Sequence, residues 1–260
     1  MLPELNRYGE VYTTRIQEKN FSGKGVFKPG VVYWEENPEG RVIIDGKRCK
    51  ILTKSEYDEH YVLIGGKNYK IVKIGNKVWT VENLDYAWDG VLSEVGPDTD
   101  MRAVYYEYDE ATWGWNGRRC GRMYNVPALR YLDDHPEMLP LGWRIPSNDD
   151  YYALYRYAGI AGDEDSENTD KIRKGDLAWA IETWTGTNTT GFSWLPAGFF
   201  SPSGAGFKAA GQSAYNWTSY RNPDPTLLRN GLASTSAGYG VANFASGNYY
   251  YAPIRLVKDA

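Results

Sequence analysis

The sequence is short of the residues that usually mark chemistry. Only two histidines, His60 and His135, occur in 260 residues. That shortage weakens any reading built on a histidine base, a histidine-rich metal site or a serine triad. The two cysteines, Cys49 and Cys120, lie 71 positions apart. They form neither a disulfide framework nor the close pair of a zinc site, and both read as buried or half-buried free thiols. No apolar run approaches the roughly 18–20 residues that span a bilayer. The opening MLPELNRYGEVY lacks the basic and apolar stretches of a signal peptide. A net charge of −4 gives no electrostatic case for nucleic acid or an anionic membrane. No Walker loop, H-E-x-x-H or G-x-S-x-G is present. The adjacent carboxylates Asp133–Asp134 and Asp149–Asp150 read as surface or capping groups, because neighbours on a helix do not converge across a cleft. The sequence therefore points away from an enzyme and implies no cofactor.

Aromatic rings are abundant instead. Twenty-two tyrosines and ten tryptophans accompany seven phenylalanines, so most rings carry a polar atom. Such rings suit a recognition surface, since they offer large contact area with few rotatable bonds. They equally suit an aromatic β core whose hydroxyls reach the surface, and composition leaves both open. At 42% apolar and 24% charged, the chain has material for a packed core.

The first seventy residues read as β structure with tight turns. Asp45-Gly46, Gly65-Gly66 and Gly75-Asn76 each sit between short apolar runs, and these pairs supply the positive φ that two-residue hairpins need. Residues 1–68 are expected to form a small β-rich N-terminal module. Helical patterning appears only in the middle. Asn125 caps a predicted helix with Pro127 in its first turn and Ala128–Leu132 as its body. Ser147 and Asp150 predict a second start, with Tyr151, Leu154, Tyr155 and Ala158 as its apolar stripe and Gly159 as its stop. Gly162–Glu167 reads as a solvated acidic loop without the spacing of a calcium site. Beyond about residue 182 no long helix is expected, only loop-rich antiparallel β sequence.

Four blocks carry a family resemblance. Ile74-Gly75-Asn76-Lys77-Val78-Trp79-Thr80-Val81-Glu82-Asn83-Leu84 resembles the opening of the Fibrobacter succinogenes major paralogous domain. Leu141-Gly142-Trp143-Arg144-Ile145-Pro146-Ser147, then Thr187–Gly198, then Tyr215-Asn216-Trp217-Thr218-Ser219 follow in that family's order. Pro253–Asp259 is similar to its closing strand. The resemblance implies an α+β, C-type-lectin-like fold over 69–260, with two helices, a small mixed sheet and a loop-rich C-terminal half. Where the family commonly has two cysteines this chain has Leu139 and Leu256, so an apolar contact replaces a disulfide if the two face each other, as suits a reducing cytosol.

The C-terminal block resembles a second pattern. Residues 213–257 contain no Lys, Glu, Gln or Met, where about seven would be expected at the rate of residues 1–212. Variable proteins of diversity-generating retroelements look like this, because randomising the adenines of Asn codons cannot reach those four residues or Trp. That resemblance implies a variable region over 213–252. Its ligand-binding residues would be Tyr215, Tyr220, Asn222, Asp224, Arg229, Asn230, Tyr239, Asn243, Asn248, Tyr249, Tyr250 and Tyr251, a paratope of rigid rings and small polar groups. Trp217, Phe244, Ile254, Leu256 and Val257 read as scaffold. Within 249–251 strand alternation predicts that Tyr249 and Tyr251 share a face. The expected partner is a protein or glycan on a target cell surface, met from a phage particle or, second, a bacterial surface. The N-terminal module would attach to a larger particle or assemble with further copies. A fixed-sequence adhesin or glycan-binding module is the alternative.

Overall fold

A computed structural model describes residues 34–35, 41–44, 47–50, 52–97, 99–105, 120–160, 168–173, 175, 184–201, 206–221, 229–234, 240–245 and 250–260. Over 34–56, 229–234 and 240–245 that description is of the backbone. It shows a mixed α/β protein with few helices and mostly antiparallel pairing. The chain divides into two compact units at 71/72, against the expected boundary of 68/69.

In the first unit, β1 (Trp34–Glu35) pairs in parallel with β4 (Leu52–Thr53). β2 (Arg41–Ile44) pairs with β3 (Lys47–Lys50), and Ile44 stands opposite Lys47, the register of the predicted two-residue hairpin. β5 (Tyr61–Ile64) pairs with the first half of β6 (Lys67–Ile74) in the same register across Gly65-Gly66. Both glycines have positive φ, 56° and 80°, which is why that turn takes no side chain there. One element departs from the all-β expectation. Lys54–His60 is a helix, α1. Its seven residues offer one buried ring, Tyr57, and no repeating apolar stripe, so its pattern is too short to be read as helical.

β6 runs past the division and turns through Gly75 and Asn76 into β7 (Lys77–Thr80), its neighbour in the sheet. The last strand, β16 (Val257–Asp259), lies antiparallel to β7 with Val257 opposite Trp79. The opening and closing segments of the second unit are thereby joined. A three-stranded sheet follows, in the order β15 (Ala252–Pro253), β9 (Met123–Tyr124), β8 (Ala103–Val104).

Both predicted helices form. α2 spans Val126–Asp134, and the Asn125 side chain accepts a hydrogen bond from the Ala128 amide. α3 spans Asn148–Ala158 behind a complete Ser147/Asp150 capping box, and Gly159 ends it in the left-handed region at φ 79°. Tyr151, Leu154, Tyr155 and Ala158, the predicted stripe, are all buried. They meet Trp79, Phe192, Trp194 and Val257 in an aromatic core. Trp79 packs tilted on Tyr151 and edge-on to Phe192, both at 5.2 Å, Phe192 stands edge-on to Trp194 at 5.5 Å, and Tyr151 and Tyr155 stack on Trp194. Beyond residue 182 the described residues contain strands and loops but no α-helix. Leu139 and Leu256 are both buried. The Gly162–Glu167 loop lies outside the described residues.

Candidate functional site

The C-terminal block is built around β12 (Tyr215–Arg221), the first strand of an antiparallel sheet that continues through β13 (Arg229–Ser234) to β14 (Gly240–Ala245). The middle of β12 is locked. Asn216, Trp217 and Thr218 are buried, and each side chain ties the strand to a different element. Asn216 accepts from the Trp194 indole at 2.5 Å and donates to Asn83 Oδ1 at 3.1 Å. Trp217 donates its indole N–H to the Tyr124 carbonyl at 2.7 Å, and Thr218 donates to Asn148 Oδ1, also at 2.7 Å.

Arg255 lies under the same network and is fully buried. Its guanidinium donates to Asn83 Oδ1 at 3.2 Å, to the carbonyls of Thr80 and Phe192, and to the Ser193 carbonyl at 2.8 Å. It also stands 4.3 Å from the centre of the Phe192 ring. Burial pulls its pKa down to about 10, which still leaves it charged at neutral pH. A buried charge held by backbone carbonyls fixes the loop that supplies them, because any displacement leaves it unsolvated. Nothing in the residues around Arg255 signals this burial, since arginine is ordinarily a surface residue.

The two ends of β12 differ from its middle. Tyr215, at the start, is half-buried and packs edge-to-face on Phe199, with ring centres 4.9 Å apart. Tyr250, also half-buried, lies 6.3 Å from the same Phe199 ring. Phe199 is thus the meeting point of two residues expected in the paratope that are 35 positions apart in sequence. It belongs to β10 (Phe199–Ser201), which pairs with β11 (Gly206–Lys208). Gly198 enters this hairpin at φ 67°, and a Cβ there would stand 2.1 Å from the Lys208 carbonyl oxygen. Phe199 stands outside the depleted block, so the compositional argument passed over it. The signal was Phe199-Phe200 in a strand, where alternation sends one ring to each face. Phe200 takes the inward face, 5.2 Å from Tyr251 and 5.0 Å from Phe207.

Tyr220, at the other end of β12, is half-buried and is not brought to this cluster by any ring contact. Arg130 on α2 donates to the carbonyls of Ser219 and Tyr220, and Arg221 pairs with Asp133 at 2.8 Å and Asp134 at 2.6 Å. The Asp133–Asp134 pair is therefore an anchor for the end of β12. Asp150 likewise serves its helix cap and Arg144.

Tyr251 corrects the sequence reading. Expected among the ligand-binding residues, it is fully buried in the small core of Val104, Cys120, Met123 and Ala197. Its backbone exchanges two hydrogen bonds with Phe200, and its hydroxyl binds Gly96. Strand alternation relates Tyr249, Tyr250 and Tyr251 to one another without saying which face meets the core. Ile254, Leu256 and Val257 are buried, as the scaffold reading expected. Arg229, Asn230 and Asn243 lie on the backbone of β13 and β14. In that backbone register Gly231 stands opposite Asn243 and Arg229 opposite Ala245. Asn222, Asp224, Tyr239, Asn248 and Tyr249 lie outside the described residues, as does the side chain of Phe244.

Among the described residues no cluster of three or more His, Cys, Asp or Glu is placed to hold a metal, and no helix is long and apolar enough to cross a membrane. Comparison with known families gives one decisive match: residues 72–258 fit the Fibrobacter succinogenes major domain. The chain belongs to that family. The match begins at the first residue of the second compact unit, Val72, and ends two residues before its last, Ala260. It covers the four blocks on which the resemblance rested and all but the last residue of the closing strand Pro253–Asp259. Neither the curated proteins nor the solved structures yield a match.

Proposed function

We propose that this member of the Fibrobacter succinogenes major domain family is a ligand-binding protein that displays an exchangeable surface on a C-type-lectin-like scaffold. In this reading a retroelement diversifies residues of the C-terminal block, and the protein serves as a receptor binder on a phage or provirus particle. One observation carries it. The stretch 213–257, depleted of Lys, Glu, Gln and Met, contributes Tyr215 and Tyr250 to a half-buried aromatic cluster, while Trp217, Ile254, Leu256 and Val257 between and beyond them are core. A segment that supplies both a packed frame and accessible rings can change its surface without losing its fold. Two helices in the second unit, short sheets of mostly antiparallel strands and the lack of any α-helix among the described residues beyond 182 support the C-type-lectin-like assignment.

The first unit would attach the protein to its particle or to further copies. Tyrosine and phenylalanine faces also stack on sugars, which keeps the fixed-sequence glycan-binding adhesin as the second reading. Comparison of this gene among closely related isolates separates the two. Diversification predicts substitutions crowded into 213–250 and nearly absent from 72–212. An adhesin predicts substitutions spread over exposed positions of the whole domain.

A further inference from the structure

The cluster at Phe199 says more about recognition than the depleted block does. Three rings from distant segments meet there, and only two of them, Tyr215 and Tyr250, belong to the block. The third is held by a device that tolerates little change. Gly198 admits no Cβ, the Phe200 backbone exchanges hydrogen bonds with Tyr251, and Phe200 itself is wedged against Phe207 and Tyr251. The two block tyrosines are each anchored by a locked neighbour. Asn216 follows Tyr215 and is tied to Trp194 and Asn83; Tyr251 follows Tyr250 and is tied to Gly96. The backbone beneath the cluster is therefore fixed on both sides, while its side chains are half-buried.

We infer that Phe199 is the fixed centre of the recognition surface, a ligand-contacting residue outside the exchangeable block, with Tyr215 and Tyr250 as its exchangeable flanks and Asn216 and Tyr251 as the positioning residues that hold them. This rests on the display reading above. A constant apolar centre with variable polar rings around it is the arrangement of a protein-binding hot spot, in which a central anchor supplies most of the affinity and its surround sets specificity. The ligand class it fits is a protein surface offering an apolar projection. Tyr220 falls outside this surface, since β12 at that end is committed to α2 through Arg130 and Arg221.

The test is a displayed library of the full chain. Tyr215, Tyr250 and the tyrosines and asparagines of 222–249 are randomised, while Phe199, Asn216 and Tyr251 are kept. Clones are sorted for protease resistance and then selected on hen lysozyme as the probe. Phe199→Ala introduced into the selected clones is expected to weaken lysozyme binding at least tenfold while their melting temperature moves by no more than a few degrees. Tyr220→Ala in the same clones should change affinity less than threefold. Binders indifferent to Phe199→Ala would overturn the fixed centre while leaving the display reading standing. A library that folds and yields no lysozyme binder would overturn both. A parallel library randomised at Asn216 and Tyr251 should lose nearly all protease-resistant clones, and its free acceptance of substitutions would overturn their positioning role.

Discussion

The hydroxyl of Tyr251 makes two hydrogen bonds to a single residue, accepting from the Gly96 amide and donating to the Gly96 carbonyl, each at 2.9 Å. Tyr124 holds Tyr86 in the same way, at 3.1 Å and 2.8 Å. The segment between them is thus pinned at two points to buried rings of the β15–β9 pair or its edge. Gly96 also sits against the Arg102 guanidinium, which would have to shift to admit a Cβ 2.5 Å away.

The contrast between Tyr250 and its neighbour gives the first prediction. Tyr251→Phe leaves two backbone groups of Gly96 without their partner, a cost of about 1–3 kcal/mol. In a chain of this size that lowers the melting temperature by about 2–4 °C for each kcal/mol. Tyr250→Phe, at a half-buried position, should cost less. Differential scanning calorimetry of the two variants checks this, and equal melts would contradict the assignment of Tyr251 to the core.

The buried network under β12 gives the second. Asn216→Ala removes the acceptor of the Trp194 indole and one of the two donors to Asn83 Oδ1, and Trp217→Ala removes a large buried ring. The expected losses are about 1–3 kcal/mol and about 3–5 kcal/mol respectively. Tyr220→Ala, in the same strand, should cost less than either. Urea denaturation read by tryptophan fluorescence orders the three.

A third prediction concerns acid. Asp150 is buried, which alone would raise its pKa, yet the Arg144 guanidinium and the Ser147 amide and hydroxyl bring it down to about 2 from an ordinary 3.8. Its folded pKa lies below the unfolded value, so its contribution is complete above about pH 4 and disappears as the pH falls toward 2. That contribution is about 2 kcal/mol. The melting temperature of the native protein should fall across that window, and Asp150→Asn should flatten that part of the profile while being less stable at neutral pH. An unchanged slope in the variant would contradict it.

Cys120 supplies a fourth. It is buried, and burial pushes its thiol up to about 12. In a Cys49→Ser variant the remaining thiol should resist iodoacetamide at pH 8 until denaturant unfolds the domain, as mass spectrometry would show. Rapid labelling of the folded variant would contradict the packing around Tyr251.

How far the molecule was legible depended on how local its signals were. The hairpin at Gly65-Gly66, the cap at Asn125 and the Ser147/Asp150 box are set by a few adjacent residues, and all three form where the pattern places them. α1 was missed because one buried tyrosine in seven residues makes no period. Tyr251 was misplaced because strand alternation relates residues to each other without relating either to the core. Phe199 and Arg255 depend on partners tens of residues away, and the packing that gives them their roles exists only once the sheets have assembled.

The account stands most directly on the DNA beside this gene. It predicts a near-copy of the codons for about 210–259 nearby, differing from them almost only where the copy carries adenine, with a reverse transcriptase gene alongside. Sequencing of that locus showing no such copy and no such gene would contradict the claim that this surface is exchanged.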